Sequence, residues 1–299
     1  MFQKSLEKAL SRSAHYPALK EVMDYAVLPA GKLFRPKLVE AITLDLNQKI
    51  NQDALHLACA IELHHAYTLV HDDLPAMDND LIRRGKPSTH AHFGEWKAIL
   101  AGDSLLIASF EELMRISHSD IRSLHKLLSW ATGGRGLIKG QFLDLEADGK
   151  LNLQQIVRIH ELKTARLIQV ATLGSYLLAT SQKSMKGFIE YMRLGREIGV
   201  TFQLIDDLSE LTDKNVSEHE KMINPFIISA RDALHSLRMS HARLQTITST
   251  QKLKHLEVML ADYFKNSQTH LVNGFENIEK NIKESDLHSD LKKWITTFA

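Results

Sequence analysis

The chain has 299 residues, 44% of them hydrophobic and 24% charged, with a formal net charge of +1. A near-neutral chain without a basic stripe interleaved with aromatics argues against a nucleic-acid partner, and no apolar run reaches the ~18 residues of a membrane span. The start, MFQKSLEKALSRS, mixes acid and base like an amphipathic helix rather than a secretory signal, and the lone Cys59 sits in an apolar helical run, so the expected protein is soluble, reduced and cytoplasmic.

Gly and Pro number only 14 and 6, and apolar residues recur at three- and four-residue spacing almost throughout. No alternating β-branched runs stand between turn signals, so the expected fold class is all-α. Residues 2–12 and 18–28 read as helices, broken near Pro17 and at Pro29-Ala30-Gly31. Gly31-Lys32-Leu33-Phe34-Arg35-Pro36 then leads into a helix over 37–46. Lys32 and Arg35 flank a helix start, where backbone N–H groups also favour anions; ordinary surface cations at a turn are the plain alternative. Residues 53–73 read as one long helix with Ala54, Leu57, Ala58 and Ile61 toward the core. His65 lies two turns before Asp72 on the same face.

That helix runs into YTLVHDDLPAMDNDLIRR, Tyr67–Arg84. Asp72 and Asp73 close the apolar run, Leu74-Pro75 loops out, and Asp78, Asp80, Arg83 and Arg84 follow. The loop lets Asp78 rejoin the face of Asp72, with Asp73 acting through solvent or outer contacts. Like charges one turn apart destabilise a helix, and neighbouring carboxylates raise one another's pKa unless a cation intervenes. Mg²⁺ takes one or two carboxylates and completes its shell with water and phosphate oxygens, and arginine forks match phosphate. A solvated acidic turn followed by a basic one is the plain reading. A zinc or di-iron site using His64, His65 and His71 is a poorer fit to the carboxylate excess.

Gly133–Gly136 lacks the preceding strand that a phosphate loop needs and reads as close packing, as does Gly102-Asp103-Ser104. Gly149–Asn152 reads as a loop, and 153–180 as one helix containing IHELKTARL. Lys163 in its apolar middle needs an anionic partner unless it is surface-exposed. A second acidic word, FQLIDDLSE, puts Gln203, Asp206, Asp207 and Glu210 on one helix face. Two helices with such faces toward a shared cavity would clamp several metals around a polyphosphate.

These words resemble the short-chain trans-prenyl diphosphate synthases of the bacterial farnesyl diphosphate synthase type. Asp72-Asp73-(four residues)-Asp78 with Arg83-Arg84-Gly85 is similar to that family's first aspartate-rich motif, and Asp206-Asp207 to the start of its second, with Glu210 where an aspartate is expected. The resemblance implies one isoprenoid-synthase-like helical domain over 1–299 around a central cavity, usually a homodimer. It also implies three Mg²⁺ per site, held among Asp72, Asp73, Asp78, Asp206, Asp207 and Glu210. Lys32, Arg35, His65 and Arg84 would bind isopentenyl diphosphate, Arg83 and Lys163 the allylic diphosphate, and Thr164 and Gln203 with Lys163 would steady the carbocation. Gln141 and Asp144 occupy the Gly-Gln-x-x-Asp-Leu word, with Gln141 supporting the acids. Tyr67, five residues before Asp72 and roughly 7 Å along the helix, would floor a C15 product, and reads equally as a core tyrosine.

The likeness weakens after residue 210. Leu211–Pro225 is a short segment without glycine where a Gly-rich loop is expected, leaving Lys221 as the candidate phosphate-binding lysine, and the end, KKWITTFA, lacks a basic closure. The implied activity is farnesyl diphosphate synthesis. Geranyl or geranylgeranyl diphosphate synthesis, a non-catalytic partner subunit and, less well matched, a terpene cyclase are the rivals.

Overall fold

The computed structural model describes residues 2–147 and 151–298, leaving aside the side chains of 218–220. Gly149 and Lys150, half of the loop expected over Gly149–Asn152, lie outside the described residues. The described chain is helical except for one short ladder, and its contacts group into two compact units, Met1–Leu128 with Val170–Lys183 and Ser129–Gln169 with Ser184–Ala299. Among the described residues no helix is long and apolar enough to cross a membrane.

The first unit opens with α1 (Phe2–Ser13), α2 (Pro17–Val27), α3 (Phe34–Asn47) and α4 (Gln52–Asp72). Asn51 caps α4 by accepting from the Ala54 amide. Helix α4 is apolar nearly all round and is accordingly the buried axis of this unit. It packs along α6 (Glu95–Met114), with α3 and α1 against its other sides. Leu57, Ile61, Leu63, Ala101 and Leu105 are fully buried. The buried Glu112 of α6 accepts from Arg12 of α1 at 2.5 Å and pairs with His56 of α4 at 2.8 Å, so one carboxylate ties three helices. Between α4 and the short α5 (Thr89–Phe93), the strands β1 (Ile82–Arg83) and β2 (Lys86–Pro87) pair antiparallel. Arg84 and Gly85 both have positive φ, 55° and 76°, as a two-residue hairpin turn requires. Two-residue strands are too short for alternation to reveal, which is why the sequence reading contains none. Helix α7 (Ile121–Thr132) follows, and only its first eight residues belong here.

The second unit contains α8 (Leu137–Leu145), α9 (Leu153–His160) and a π-helical turn, Glu161–Ala165, before α10 (Arg166–Ala179). The single helix expected over 153–180 is therefore interrupted at 161–165. A capping box between Asn152 and Gln155 starts α9. The unit's long helix is α11 (Met185–Glu210), which packs against the π turn and α14 (Ala230–Gln251). Segment 211–225, expected as a loop, contains α12 (Glu218–Ile223); Ser217-Glu218-His219-Glu220 has the S-x-x-E pattern that opens helices. After α13 (Pro225–Ile228) and α14 come α15 (Lys254–Asn273), α16 (Phe275–Asn281) and α17 (His288–Thr297). The C-terminal segment buries Leu291, Trp294, Ile295 and Phe298, with Trp294 stacked on Phe298 at 4.4 Å.

The π turn lies tight against α11. A Cβ on Gly199 would sit 2.4 Å from Ala165 Cβ and 2.5 Å from its Cα, so backbone rather than a movable side chain fills the space. Gly199→Ala should therefore destabilise the protein by about 1–3 kcal/mol, despite the higher helix propensity of alanine. Urea unfolding would read this as a lower midpoint at unchanged slope.

Candidate active site

The first acidic word is built by the end of α4. The chain turns at Leu74-Pro75, and the Asp78 amide donates to the Asp72 carbonyl at 2.9 Å, which returns Asp78 to Asp72 across six residues. Asp72 is half-buried and Asp78 exposed. Asp73, one residue on, points inward and is 2% exposed. Its Oδ1 accepts from Arg83 Nε at 2.9 Å and from Nη2, and Arg83 also donates to Asp80 at 2.8 Å. Burial raises the Asp73 pKa while Arg83 opposes it; for Arg83 burial acts downward, but the hydrogen bond and charge of Asp73 carry the net shift upward. Asp73, expected among the metal ligands, thus anchors Arg83.

Behind these acids, helix α4 carries Glu62 and His65 toward Arg35 and Arg84. Burial is the main influence on both: it raises the Glu62 pKa, with Arg35 and Arg84 pulling it down, and lowers that of His65, where the same two arginines add to the effect. Arg35 is in the first turn of α3. Arg84 covers Gly31 so closely that a Cβ there would lie 2.7 Å from its Cζ. The structure thus gathers Arg35, His65 and Arg84 around Glu62, a buried acid the sequence reading passed over. Its signal was a lone carboxylate inside the apolar run AIELHH. Lys32 is exposed beside them.

The second acidic word repeats the division of the first. Asp206 is half-exposed and Asp207 is buried. Asp207 Oδ1 accepts from Gln203 Nε2 at 3.1 Å, and its Oδ2 lies 3.6 Å from His160 Nε2. Gln203 Oε1 in turn accepts from Thr164 Oγ1 at 3.0 Å. The π turn presents Thr164 and Lys163 together, as extra-wide turns often do at functional sites, and Lys163 donates to Asp144 of α8 at 2.6 Å. Asn224 donates to the Asp207 carbonyl at 2.8 Å and reaches the half-exposed Glu210 at 3.5 Å. His160 and Asn224 are further members that the sequence reading missed, since a single histidine or asparagine carries no spacing signal. Gln141, expected to support the acids, instead lies buried with neither amide atom hydrogen-bonded among the described residues.

Three comparisons bear on this arrangement. The polyprenyl synthetase family pattern matches residues 16–257. The chain is 36% identical over 238 residues to the farnesyl diphosphate synthase of Bacillus subtilis, covering 74% of this chain and 78% of that one. The chain belongs to the polyprenyl synthetase family. Among solved structures, a geranyltransferase of Legionella pneumophila superposes with a TM-score of 0.77 at 29% identity over 89% of this chain and 93% of its own. A Helicobacter pylori geranyltransferase complexed with magnesium and isoprenyl diphosphate gives 0.74 at 29% identity over 88% and 96%. As a member of the family, the chain is a trans-prenyltransferase of isoprenoid biosynthesis with the all-helical isoprenoid synthase fold.

The residues present fit Mg²⁺. Asp72, Asp78 and Asp206 keep their carboxylates at least partly open to solvent, the oxygen donors that Mg²⁺ takes one or two at a time while phosphate and water fill the rest of its shell. His64 and His71 are otherwise engaged. The Ser109 hydroxyl donates to the Leu106 carbonyl, so His64 Nδ1, 3.2 Å from that oxygen, is the donor between them. His71 Nε2 meets the Ile99 carbonyl at 3.1 Å, and its ring occupies the space a side chain on Gly102 would fill. Tyr67 is buried edge-on between these two rings, at 4.7 and 5.6 Å; burial, with the Asp72 charge, pushes its hydroxyl up to about 12. Lys221 is exposed on α12.

Burial keeps three histidines neutral: His64 is lowered to about 3, His160 to about 4, and His65 well below its ordinary 6.5. Unfolded, these rings protonate near 6.5, so below that pH the unfolded chain binds more protons. Their stabilising contribution is complete above about pH 6.5 and is lost as pH falls toward about 4. The urea midpoint should drop steeply across this window, and His64→Phe should flatten the slope by about one proton.

Proposed function

We propose that the protein is a Mg²⁺-dependent farnesyl diphosphate synthase, a single polyprenyl synthase-like domain over residues 1–299. It joins isopentenyl diphosphate to dimethylallyl and then geranyl diphosphate. The observation that carries this reading is that Arg35, Arg84 and the neutral His65 form one phosphate-suited set about Glu62, while Lys163 on the π turn, held by Asp144, is another. A cyclase acting on one diphosphate would need only one of them.

Asp72, Asp78 and Asp206 would hold Mg²⁺, three ions per site, with Glu210 reaching through water. Bound Mg²⁺ supplies Lewis-acid stabilisation of the departing diphosphate. Lys163 and Arg83 add fixed positive charge to the same anion. Both are already held by carboxylates, Asp144 and Asp73, so they are oriented before substrate arrives. Gln141 contributes a buried amide with hydrogen-bonding capacity to spare. Lys32, Arg35, His65 and Arg84 bind isopentenyl diphosphate, and the neutral His65 ring offers it a hydrogen bond. As the allylic C1–O bond breaks, Thr164 and Gln203 turn their dipoles to the allyl cation. The alkene of isopentenyl diphosphate forms the new C–C bond, and a proton leaves to an oxygen of the released diphosphate. Lys221 closes over the phosphates from α12. Tyr67 limits the growing tail to C15.

Purified protein with Mg²⁺, labelled isopentenyl diphosphate and geranyl diphosphate should yield a C15 product. Asp72→Ala and Asp206→Ala should each lower turnover at least about 100-fold, on the scale of lost electrostatic stabilisation, and Tyr67→Ala should lengthen the product. Folded protein that makes no product would favour the non-catalytic subunit instead.

The reading includes a cytoplasmic homodimer. The single, buried Cys59 suits a reducing compartment. Helix α6 exposes Trp96, Leu100, Ile107 and Met114 at 65%, 50%, 58% and 73%, an apolar stripe of the kind that marks an interaction surface. Light scattering should read twice the chain mass of 33.9 kDa, and Trp96→Glu with Ile107→Glu should return it to one.

A further inference from the structure

The hairpin that carries Arg83 and Arg84 is fastened to α2 by residues outside the phosphate-binding set. Lys86 Nζ donates to the carbonyls of Tyr25 at 2.6 Å and Leu28 at 3.0 Å, and lies 3.9 Å from the Tyr25 ring centroid. These carbonyls belong to the open C-terminal end of α2, where unsatisfied acceptors and the helix dipole favour a cation. Tyr25 Oη donates back to the Pro87 carbonyl at 2.7 Å. The Tyr25 ring is itself fixed, stacked on His92 at 4.7 Å and edge-on to Phe93 at 5.1 Å. Each of β2's two residues is therefore bonded to the end of α2. With two donors on carbonyls and its charge over a ring, Lys86 is committed to the protein rather than to a ligand.

Between the strands, Arg84 sits at φ 55°, a left-handed conformation that is unfavourable for a residue with a side chain. Such a conformation persists only where its surroundings over-determine it. The Arg84 guanidinium lies over Gly31, so a shift of the hairpin would carry it away from Arg35 and His65.

We propose that Lys86 and Tyr25 are positioning residues for Arg84: they clamp the hairpin to the end of α2 and thereby set the affinity for isopentenyl diphosphate. This rests on the reading above, in which Arg84 binds that substrate.

The test uses the full chain with Lys86→Met, Lys86→Arg and Tyr25→Phe. Three quantities are measured: calorimetric binding of isopentenyl diphosphate alone, KM for each substrate, and the rate of trypsin cleavage after Arg84. Lys86→Met should weaken isopentenyl diphosphate binding and raise its KM about tenfold, the scale of a lost charge-assisted hydrogen bond. The geranyl diphosphate KM should change less than about twofold, and cleavage after Arg84 should quicken about tenfold. Tyr25→Phe, which removes one hydroxyl, should move all three the same way by less, and Lys86→Arg should restore most of the affinity. Unchanged binding by folded Lys86→Met, equal losses for both substrates, or unaltered cleavage would overturn the inference. If Lys86→Met does not fold, unaltered binding by Tyr25→Phe does so. A wild-type protein that binds no isopentenyl diphosphate overturns the functional reading and this inference together; wild-type binding that Lys86→Met fully retains overturns this inference alone.

Discussion

Adjacent side chains on an α-helix diverge by about 100°, so two neighbouring aspartates at a helix end are divided between two environments. Both acidic words of this chain use that division in the same way. Asp72 and Asp206 remain open to solvent, while Asp73 and Asp207 turn into the protein. An inward carboxylate is costly unless it is paired, and each finds a hydrogen-bond donor: Arg83 for Asp73, Gln203 for Asp207. The doubled aspartate is therefore one outward carboxylate joined to one inward anchor.

The same logic extends to the cations. A phosphate-binding site needs positive charge that is neither scattered by side-chain motion nor neutralised beyond use. Lys163 is held by Asp144, and Arg35 and Arg84 share the buried Glu62. These acids give the cations a fixed direction. Pre-orientation of this kind lowers the entropy cost of binding a small, highly charged substrate. Burial of His64, His65 and His160 in neutral form completes the arrangement, because imidazolium at these positions would be desolvated and, at His65, repelled by three arginines.

Backbone irregularities place the working groups. The π turn at 161–165 interrupts a helix that would otherwise run on, and the positive-φ pair Arg84-Gly85 folds two residues of strand back on two more. Both are local departures from regular structure held by their neighbours: Gly199 packs against Ala165 at the first, and Lys86 and Tyr25 tie the second to α2. Irregular backbone persists where packing over-determines it.

The helical class, the boundaries of α1, α2 and α4, the two acidic words and the cations beside them were all legible in the sequence, whereas α3 begins at Phe34, three residues before the expected 37. Each depends on local chemistry: apolar periodicity, proline breaks, and charge crowding that a helix would not tolerate without a use for it. The return of Asp78 to Asp72 was also legible, because Pro75 forbids the helix to continue. What the sequence did not disclose depends on partners distant in the chain. That Asp73 is an anchor, that Glu62 lies under two arginines and that Asn224 ties back to the end of α11 follow only from the packing of separate segments. The hairpin and the π turn were hidden for the same reason, since one shifted hydrogen bond or a two-residue strand leaves no periodic trace. The sequence by itself determined which side chains are present and that their charges are crowded beyond what a packed helix favours. Only the tertiary structure decided which of them face outward and which hold the others still, because burial and partner geometry are properties of the folded chain.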